Sequence, residues 1–92
     1  MNAGREGTLT LAGLIKRSFS LAGHRTSVAL EPAFWDALRD IASSRHLSLG
    51  GLVATVDTAR DGATPLASAL RVLALQDALR RPANILTDLT GI

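Results

Sequence analysis

The fold of this chain is decided by the stretch RTSVAL at residues 25–30, which EPAFWDAL at residues 31–38 follows without a break. Polar and apolar side chains alternate in the first stretch, as is typical of a strand with one buried face. The second stretch has the apolar spacing of a helix. We therefore predict a strand leading directly into a helix, with Thr26, Val28 and Leu30 on the buried face and Arg25, Ser27 and Ala29 on the polar face.

A second strand is predicted just before the first, because IKRSFSL at residues 15–21 alternates in the same way. Gly23, between the two stretches, can supply the positive φ that a tight turn needs. Arg17 falls on the apolar face, and we expect its guanidinium to extend to solvent at the sheet edge. A hairpin turning at Ala22–Gly23 pairs Ser20 with Arg25 and Ser18 with Ser27, and its polar face consists of Lys16, Ser18, Ser20, Arg25 and Ser27.

The first helix is predicted to begin at Pro32, because the fixed φ of proline suits the first position of a helix. Glu31, just before it, adds a favourable negative charge at the helix N-terminus. Trp35 lies beside the apolar stripe of this helix, and we expect its indole to seal an interface rather than to stack on a base.

Two further helices follow, each with its own boundary residues. Ser48 is a good N-cap for the second helix, and Gly62 can take the left-handed position at its end. The third helix is predicted with Thr64 as N-cap and Pro65 at its first position, running to about Arg80. It is apolar on most sides, so we expect a second chain to enclose it.

The composition limits the class of protein. The chain has 92 residues and no cysteine, which indicates one domain without disulfides or cysteine-ligated metals. It has no apolar run long enough to span a membrane, and its N-terminus is a poor signal peptide. These features are compatible with a cytoplasmic location.

No catalytic or metal-binding arrangement is recognisable in the sequence. His24 and His46 are the only histidines, and each stands alone. The carboxylates of residues 36 and 40, and of residues 57 and 61, are one helical turn apart, and we assign both pairs to solvated helix faces. We expect no enzyme activity, no cofactor and no metal.

Positive charge is concentrated in the first third of the chain. Residues 1–30 contain four bases and one acid, whereas residues 31–80 contain five bases and six acids. A clustered basic face is typical of a protein that binds a polyanion. The alternative is an N-terminal region that is simply well solvated.

The stretch LSLGG at residues 47–51 places two glycines in the first turn of the second helix, where each costs about 1 kcal/mol relative to alanine. The unpaired N–H groups of a helix N-terminus can bind an anion, and missing side chains let a phosphate come close. The alternative is a loose helix start in a surface loop.

In combination, these features resemble the ribbon-helix-helix family of DNA-binding proteins. The stretch KRSFSLAGHRTSVALEPAFWDALRDIASSRHLSLGGLVATVDTARDG at residues 16–62 is similar to short bacterial ribbon-helix-helix domain proteins. These have an extra N-terminal strand segment and a third helix, here PLASALRVLALQDAL at residues 65–79. The resemblance covers about residues 14–80.

The resemblance implies an α+β, mostly helical fold, with a third helix, that forms an intertwined homodimer. The strand pairs with its twin in an antiparallel β-ribbon that enters the major groove of double-stranded DNA. By resemblance, Arg25, Ser27 and Ala29 face bases, while Lys16 and the backbone N–H groups of Ser48, Leu49 and Gly50 bind phosphate. The expected dimer core consists of Val28, Leu30, Phe34, Trp35, Leu38, Leu52, Val56, Leu70 and Leu73.

The sequence departs from the family pattern at three places. Ala29 has no polar group and can offer a base only apolar contact. Glu31 stands where a proline often follows the strand. Residues 16–21 are extra, so either they or residues 25–30 form the ribbon between chains; we favour residues 25–30, which lead straight into a helix.

The predicted organisation is a flexible N-terminus at residues 1–13, the domain at residues 14–81 and a tail at residues 82–92. The predicted function is sequence-specific DNA binding by a repressor-like transcriptional regulator. One alternative is an antitoxin-like module whose tail captures a protein partner, although such proteins usually have a longer arm. Another is a dimerisation module with weak or no DNA binding.

Overall fold

The computed structural model describes residues 13–81, so the predicted tail and nearly all of the predicted flexible N-terminus lie outside the described residues. Two strands are followed by three helices, in the predicted order. The elements are β1 (Ile15–Leu21), β2 (His24–Leu30), α1 (Pro32–Ser44), α2 (Leu49–Ala59) and α3 (Leu66–Leu79).

The two strands form the predicted antiparallel hairpin. Its turn residues, Ala22 and Gly23, both have positive φ, at 51° and 84°. Positive φ at both central residues defines the type I′ turn, whose twist suits a two-residue hairpin. The predicted register is confirmed, with Ser20 opposite Arg25 and Ser18 opposite Ser27.

The expectation for Arg17 was wrong. Its guanidinium does not extend away from the sheet but lies over Trp35, with Cζ 5.7 Å from the ring centroid. Phe19 packs on the same indole at 5.9 Å between ring centroids. The negative face of an aromatic ring attracts a cation, so Arg17 can stay on the apolar face. Its Nε is buried without a hydrogen-bond partner among residues 13–81.

The hydrophobic core lies between the apolar face of the hairpin and the three helices. Trp35 is 1% exposed, and its Nε1 donates a hydrogen bond of 2.8 Å to the carbonyl oxygen of Ile15. Six residues of the expected dimer core are enclosed by their own chain, so their burial needs no partner: Val28, Leu30, Trp35, Leu38, Leu52 and Leu70. The other three, Phe34, Val56 and Leu73, are half-buried.

Two predicted helix boundaries were wrong. The helix α2 ends at Ala59 because Arg60 leaves it in an extended conformation, and Gly62 does not adopt a positive φ. Arg60 holds the following turn by donating to Asp57 and to the carbonyl oxygen of Thr64. The helix α3 begins one residue later than predicted, since Pro65 is its cap and Leu66 its first residue.

Two other boundaries agree with the prediction. The helix α1 begins at Pro32, with Glu31 at the N-cap. The helix α3 stops at Leu79, with Arg80 at the C-cap. Within residues 13–81 no helix is long and apolar enough to cross a membrane.

Candidate nucleic-acid interface

The outer face of the hairpin is polar and exposed. The two serines of β1 each contact the residue opposite on β2: Ser18 Oγ lies 3.1 Å from Ser27 Oγ, and Arg25 Nη1 donates to Ser20 Oγ at 3.3 Å. All five residues predicted for this face are exposed to solvent: Lys16, Ser18, Ser20, Arg25 and Ser27. The structure thus brings them together on one surface.

The hairpin geometry explains why these side chains meet in pairs. In a hairpin closed by a two-residue turn, the pair flanking the turn, here Leu21 and His24, is hydrogen-bonded. Alternation then puts Ser20–Arg25 and Ser18–Ser27 at non-hydrogen-bonded positions, where side chains lie closest across the strands. The backbone N–H and C=O groups of these residues point outward, to the free edges of the hairpin.

Ala29 lies next along β2, opposite Lys16, and is half-buried. It has no group with which to hydrogen-bond a base, as the sequence indicated. The polar contacts available on this face of β2 therefore come from Arg25 and Ser27.

The charge of the hairpin is entirely positive. Residues 13–30 contain three bases, Lys16, Arg17 and Arg25, and no acid. The nearest acid along the chain, Glu31, accepts hydrogen bonds from Arg71 Nε at 3.1 Å and Nη2 at 2.8 Å. Because Glu31 is paired in this way, it offers little repulsion to an anion bound at the hairpin.

The pairing of Glu31 with Arg71 was not predicted from the sequence. Hydrogen bonding from its own backbone N–H, and then from Arg71, holds the pKa of the Glu31 carboxyl below its ordinary value of 4.5. Arg71 also packs its guanidinium over Phe34, 5.6 Å from the ring centroid. Arg71 is one of two charged residues of the mostly apolar α3, with Asp77, and its position in the sequence did not identify the partner.

The N-terminus of α2 is capped as predicted. Ser48 Oγ accepts a hydrogen bond of 2.9 Å from the backbone N–H of Gly51. Helix geometry leaves the N–H groups of Leu49 and Gly50 without partners inside the helix. With the backbone N–H of Ser48, for which residues 13–81 provide no acceptor, these two groups are the backbone donors available to an anion, and the Ser48 hydroxyl keeps its own hydrogen to donate.

The start of α2 lies directly behind β1. A Cβ built on Gly50 would be 3.9 Å from Phe19 Cδ1, on the apolar face of the hairpin. The predicted phosphate-binding residues of α2 and the polar face of the hairpin thus belong to neighbouring parts of the molecule. The contact at Gly50 is an ordinary one, so a small side chain would fit the chain's own packing there.

Other acids in residues 13–81 form ion pairs with a base one helical turn away. Asp36 pairs with Arg39, and Asp57 with Arg60, each at 3.0 Å. In the part of the chain that the structure describes, no three His, Cys, Asp or Glu residues cluster as a metal site would require.

Two apolar grooves flank α3. One, of about 590 Å³, lies between α2 and α3 and is lined in part by Val56 and Leu73. The other, of about 350 Å³, lies between α1 and α3 and is lined in part by Phe34. Val72 lines both grooves, and it is about half exposed, as is Leu75, while Leu79 at the end of the helix is about two thirds exposed.

Comparison with known proteins gives one finding. A family model described as the ribbon-helix-helix domain matches residues 14–78, which is more than two thirds of the chain. No curated protein and no solved structure matches the chain.

Proposed function

Because the chain belongs to the ribbon-helix-helix domain family, we propose that it is a homodimeric regulator that binds double-stranded DNA through the polar face of its hairpin. Proteins with this domain are generally DNA-binding regulators or antitoxins, typically act as dimers, and are non-enzymatic. The observation that carries the proposal is the exposed, acid-free polar face on which Arg25 and Ser27 stand side by side along β2.

The proposed ribbon between chains is formed by β2. Its free edge carries the outward-pointing backbone groups of Arg25, Ser27 and Ala29, which can pair with the same strand of a second chain. The strand β2 also runs directly into α1, so pairing at this edge brings the helices of the two chains together. The dimer would then have a four-stranded sheet, with β2 and its twin at the centre.

The width of such a sheet separates base contacts from phosphate contacts. Strands lie about 4.8 Å apart, so four of them span about 14 Å between the outer two. The major groove is about 12 Å wide and admits a two-stranded ribbon. The central strands would therefore reach the bases with Arg25, Ser27 and Ala29, while β1 would lie along the groove walls and bring Lys16 to phosphate.

The N-terminus of α2 is the second proposed phosphate site. Its free N–H groups at Ser48, Leu49 and Gly50 carry the positive end of the helix dipole, and the side chain of Ser48 holds the first turn in place. Contacts of this kind position the protein on DNA without reading its sequence.

The proposed dimer interface uses the half-buried residues of the expected dimer core. Phe34, Val56 and Leu73 line the two grooves beside α3, and the exposed residues of α3 form a ridge between them, defined by Val72, Leu75 and Leu79. A helix with an uncovered apolar ridge favours association with another chain. The repressor-like role and a nucleoid-associated location in the cytoplasm would follow from operator binding by this dimer.

The second candidate function is that of an antitoxin-like or other protein-interaction module. The same ridge of α3 favours it, because a different protein could cover Val72, Leu75 and Leu79. The two candidate functions differ in what they predict for the purified protein. A regulator binds DNA with sequence preference, whereas an interaction module need not bind DNA at all.

The deciding experiment is selection of duplexes from a random-sequence pool by the purified protein, together with light scattering. We expect a dimer that enriches a site with two related half-sites, since the symmetry of the site mirrors that of the protein. A pool that stays random after repeated rounds would contradict the proposal.

A further inference from the structure

We propose that Ser20 on β1 is a positioning residue that sets the sequence specificity of Arg25 on β2. This inference rests on the proposed DNA-binding function. It gives a role to β1, a strand that is not needed to form the ribbon between chains. In this role Ser20 acts through Arg25 and need not touch the base.

The geometry provides the contact. Ser20 and Arg25 are paired across the hairpin, and Arg25 Nη1 donates to Ser20 Oγ at 3.3 Å. Their position next to the turn is non-hydrogen-bonded, which places the two side chains close together. The register of the hairpin therefore holds the hydroxyl beside the guanidinium before any DNA is bound.

The remaining donors of Arg25 suit base recognition. A guanidinium has five N–H donors, and the contact with Ser20 uses one on Nη1. The edge formed by Nε and Nη2 makes no hydrogen bond to any residue within 13–81. Two parallel donors on one edge match the O6 and N7 acceptors of guanine, which is the commonest specific contact made by arginine. Ser20 thus fixes one corner of the guanidinium and leaves the opposite edge available.

The expected gain in sequence discrimination comes from restricting the Arg25 side chain before DNA is bound. An exposed arginine side chain has several rotatable bonds, and fixing them on binding opposes affinity. A contact that already restricts the guanidinium lowers the entropy lost on binding. The effect is larger for a base, which needs one orientation of the guanidinium, than for a phosphate, which accepts many. Removal of the Ser20 hydroxyl should therefore weaken discrimination rather than general attraction.

The chain offers a matched control in the neighbouring pair. Ser18 and Ser27 are 3.1 Å apart between hydroxyl oxygens, on the same strands and the same face, but no arginine is involved. Ser18→Ala therefore removes an equivalent exposed hydroxyl from β1 without touching Arg25. Ser20→Thr keeps a hydroxyl and suits a strand, so it serves as the rescue.

The first test uses the free protein and needs no DNA. Nuclear spin relaxation of the Arg25 Nε–H group reports how ordered the guanidinium is. We expect Ser20→Ala to lower this order, and Ser18→Ala and Ser20→Thr to leave it close to wild type. Unchanged order in Ser20→Ala would overturn the proposal.

The second test measures binding to the duplex selected by the wild type and to variants of it changed at one base pair. Ser20→Ala should reduce discrimination about three- to tenfold at the base pair where Arg25→Ala also acts, as expected for removal of one hydrogen bond. Its salt dependence should match that of wild type, because every phosphate contact remains in place. In the Arg25→Ala background, Ser20→Ala should cause no further loss of discrimination.

Two outcomes would overturn the inference in distinguishable ways. If Ser20→Ala weakens binding to all sequences alike, and does so in the Arg25→Ala background as well, Ser20 is itself a DNA contact. If the wild type binds DNA without sequence preference, the proposed function fails, and the role of Ser20 in specificity fails with it even where the Arg25 guanidinium is ordered.

Discussion

The indole of Trp35 on α1 and the backbone of Ile15 at the start of β1 are joined by a hydrogen bond of 2.8 Å from Nε1 to the carbonyl oxygen. The two residues are 20 positions apart along the chain, and this bond fixes the hairpin against the helix that follows it. The same indole ring also contacts two side chains of β1, Arg17 and Phe19. The orientation of the polar face therefore depends on a residue of the core.

Trp35→Phe should lower the free energy of unfolding by about 1–3 kcal/mol. Phenylalanine keeps an aromatic face for Arg17 but removes the bond to Ile15 and part of the buried volume. Chemical denaturation followed by circular dichroism measures the effect. An unchanged unfolding midpoint would mean that the bond contributes nothing to stability.

The pair formed by Glu31 and Arg71 predicts a pH dependence of stability. Because the pKa of Glu31 in the folded protein is below its ordinary value of 4.5, its contribution is present at neutral pH and is lost as the pH falls through the folded pKa. Wild type should therefore lose stability below about pH 4.5 more steeply than Glu31→Gln.

Urea unfolding of both proteins across the acid range measures this difference. Asp36→Asn is the matched control, because Asp36 pairs with Arg39 on an exposed surface where its side chain is 76% accessible. Such exposed pairs contribute little. Parallel pH profiles for wild type and Glu31→Gln would contradict the prediction.

The hairpin could be predicted from the sequence because both strands alternate and the turn residues determine the register. Gly62 could not be placed correctly, since Arg60 and its contacts with Asp57 and Thr64 end α2 earlier than the glycine rule indicates. Pairing between Glu31 and Arg71, 40 positions apart, depends on how α3 packs and has no local signal.

The expected dimer core shows a second limit of prediction from sequence. Apolar periodicity predicts that a residue is buried, but it does not say which chain covers it. Leu70 is fully buried within its own chain, whereas Leu75 on the same helix is 56% exposed. The site residues on the hairpin and on α2 were found from pattern and resemblance, and their roles in binding DNA stay predictions.

Leu75→Asp tests whether the ridge of α3 lies in the dimer interface. A charge there meets solvent in the single chain, so the fold should survive, while burying it in an interface costs several kcal/mol. We expect light scattering to show a monomer and circular dichroism to show unchanged helix content. Leu70→Asp is the contrasting variant and should unfold the chain. A Leu75→Asp dimer as tight as wild type would exclude the ridge from the interface.

Gly50→Glu tests the phosphate site at the start of α2. Since a Cβ at this position makes only an ordinary contact with Phe19, Gly50→Ala controls for bulk, and the glutamate adds a like charge beside the proposed phosphate. Gly50→Glu should weaken binding to all DNA sequences to a similar degree, with the dimer intact. If both variants bind as wild type does, LSLGG does not contact DNA.

Arg25→Ala and Lys16→Ala together separate base recognition from phosphate attraction. Both side chains are exposed on the polar face, so neither substitution should affect folding. Arg25→Ala should remove about 1–3 kcal/mol of discrimination for each bidentate base contact, and two-fold symmetry repeats the effect in each dimer. Lys16→Ala should instead lower affinity for every sequence and reduce the slope of log affinity against log salt by about 1 for each phosphate that the lysine no longer neutralises.

Each variant is titrated with the selected duplex and with a scrambled one over a range of salt concentrations. If Arg25→Ala weakens both duplexes equally, Arg25 binds only phosphate, and if neither variant changes binding, the polar face of the hairpin does not contact DNA.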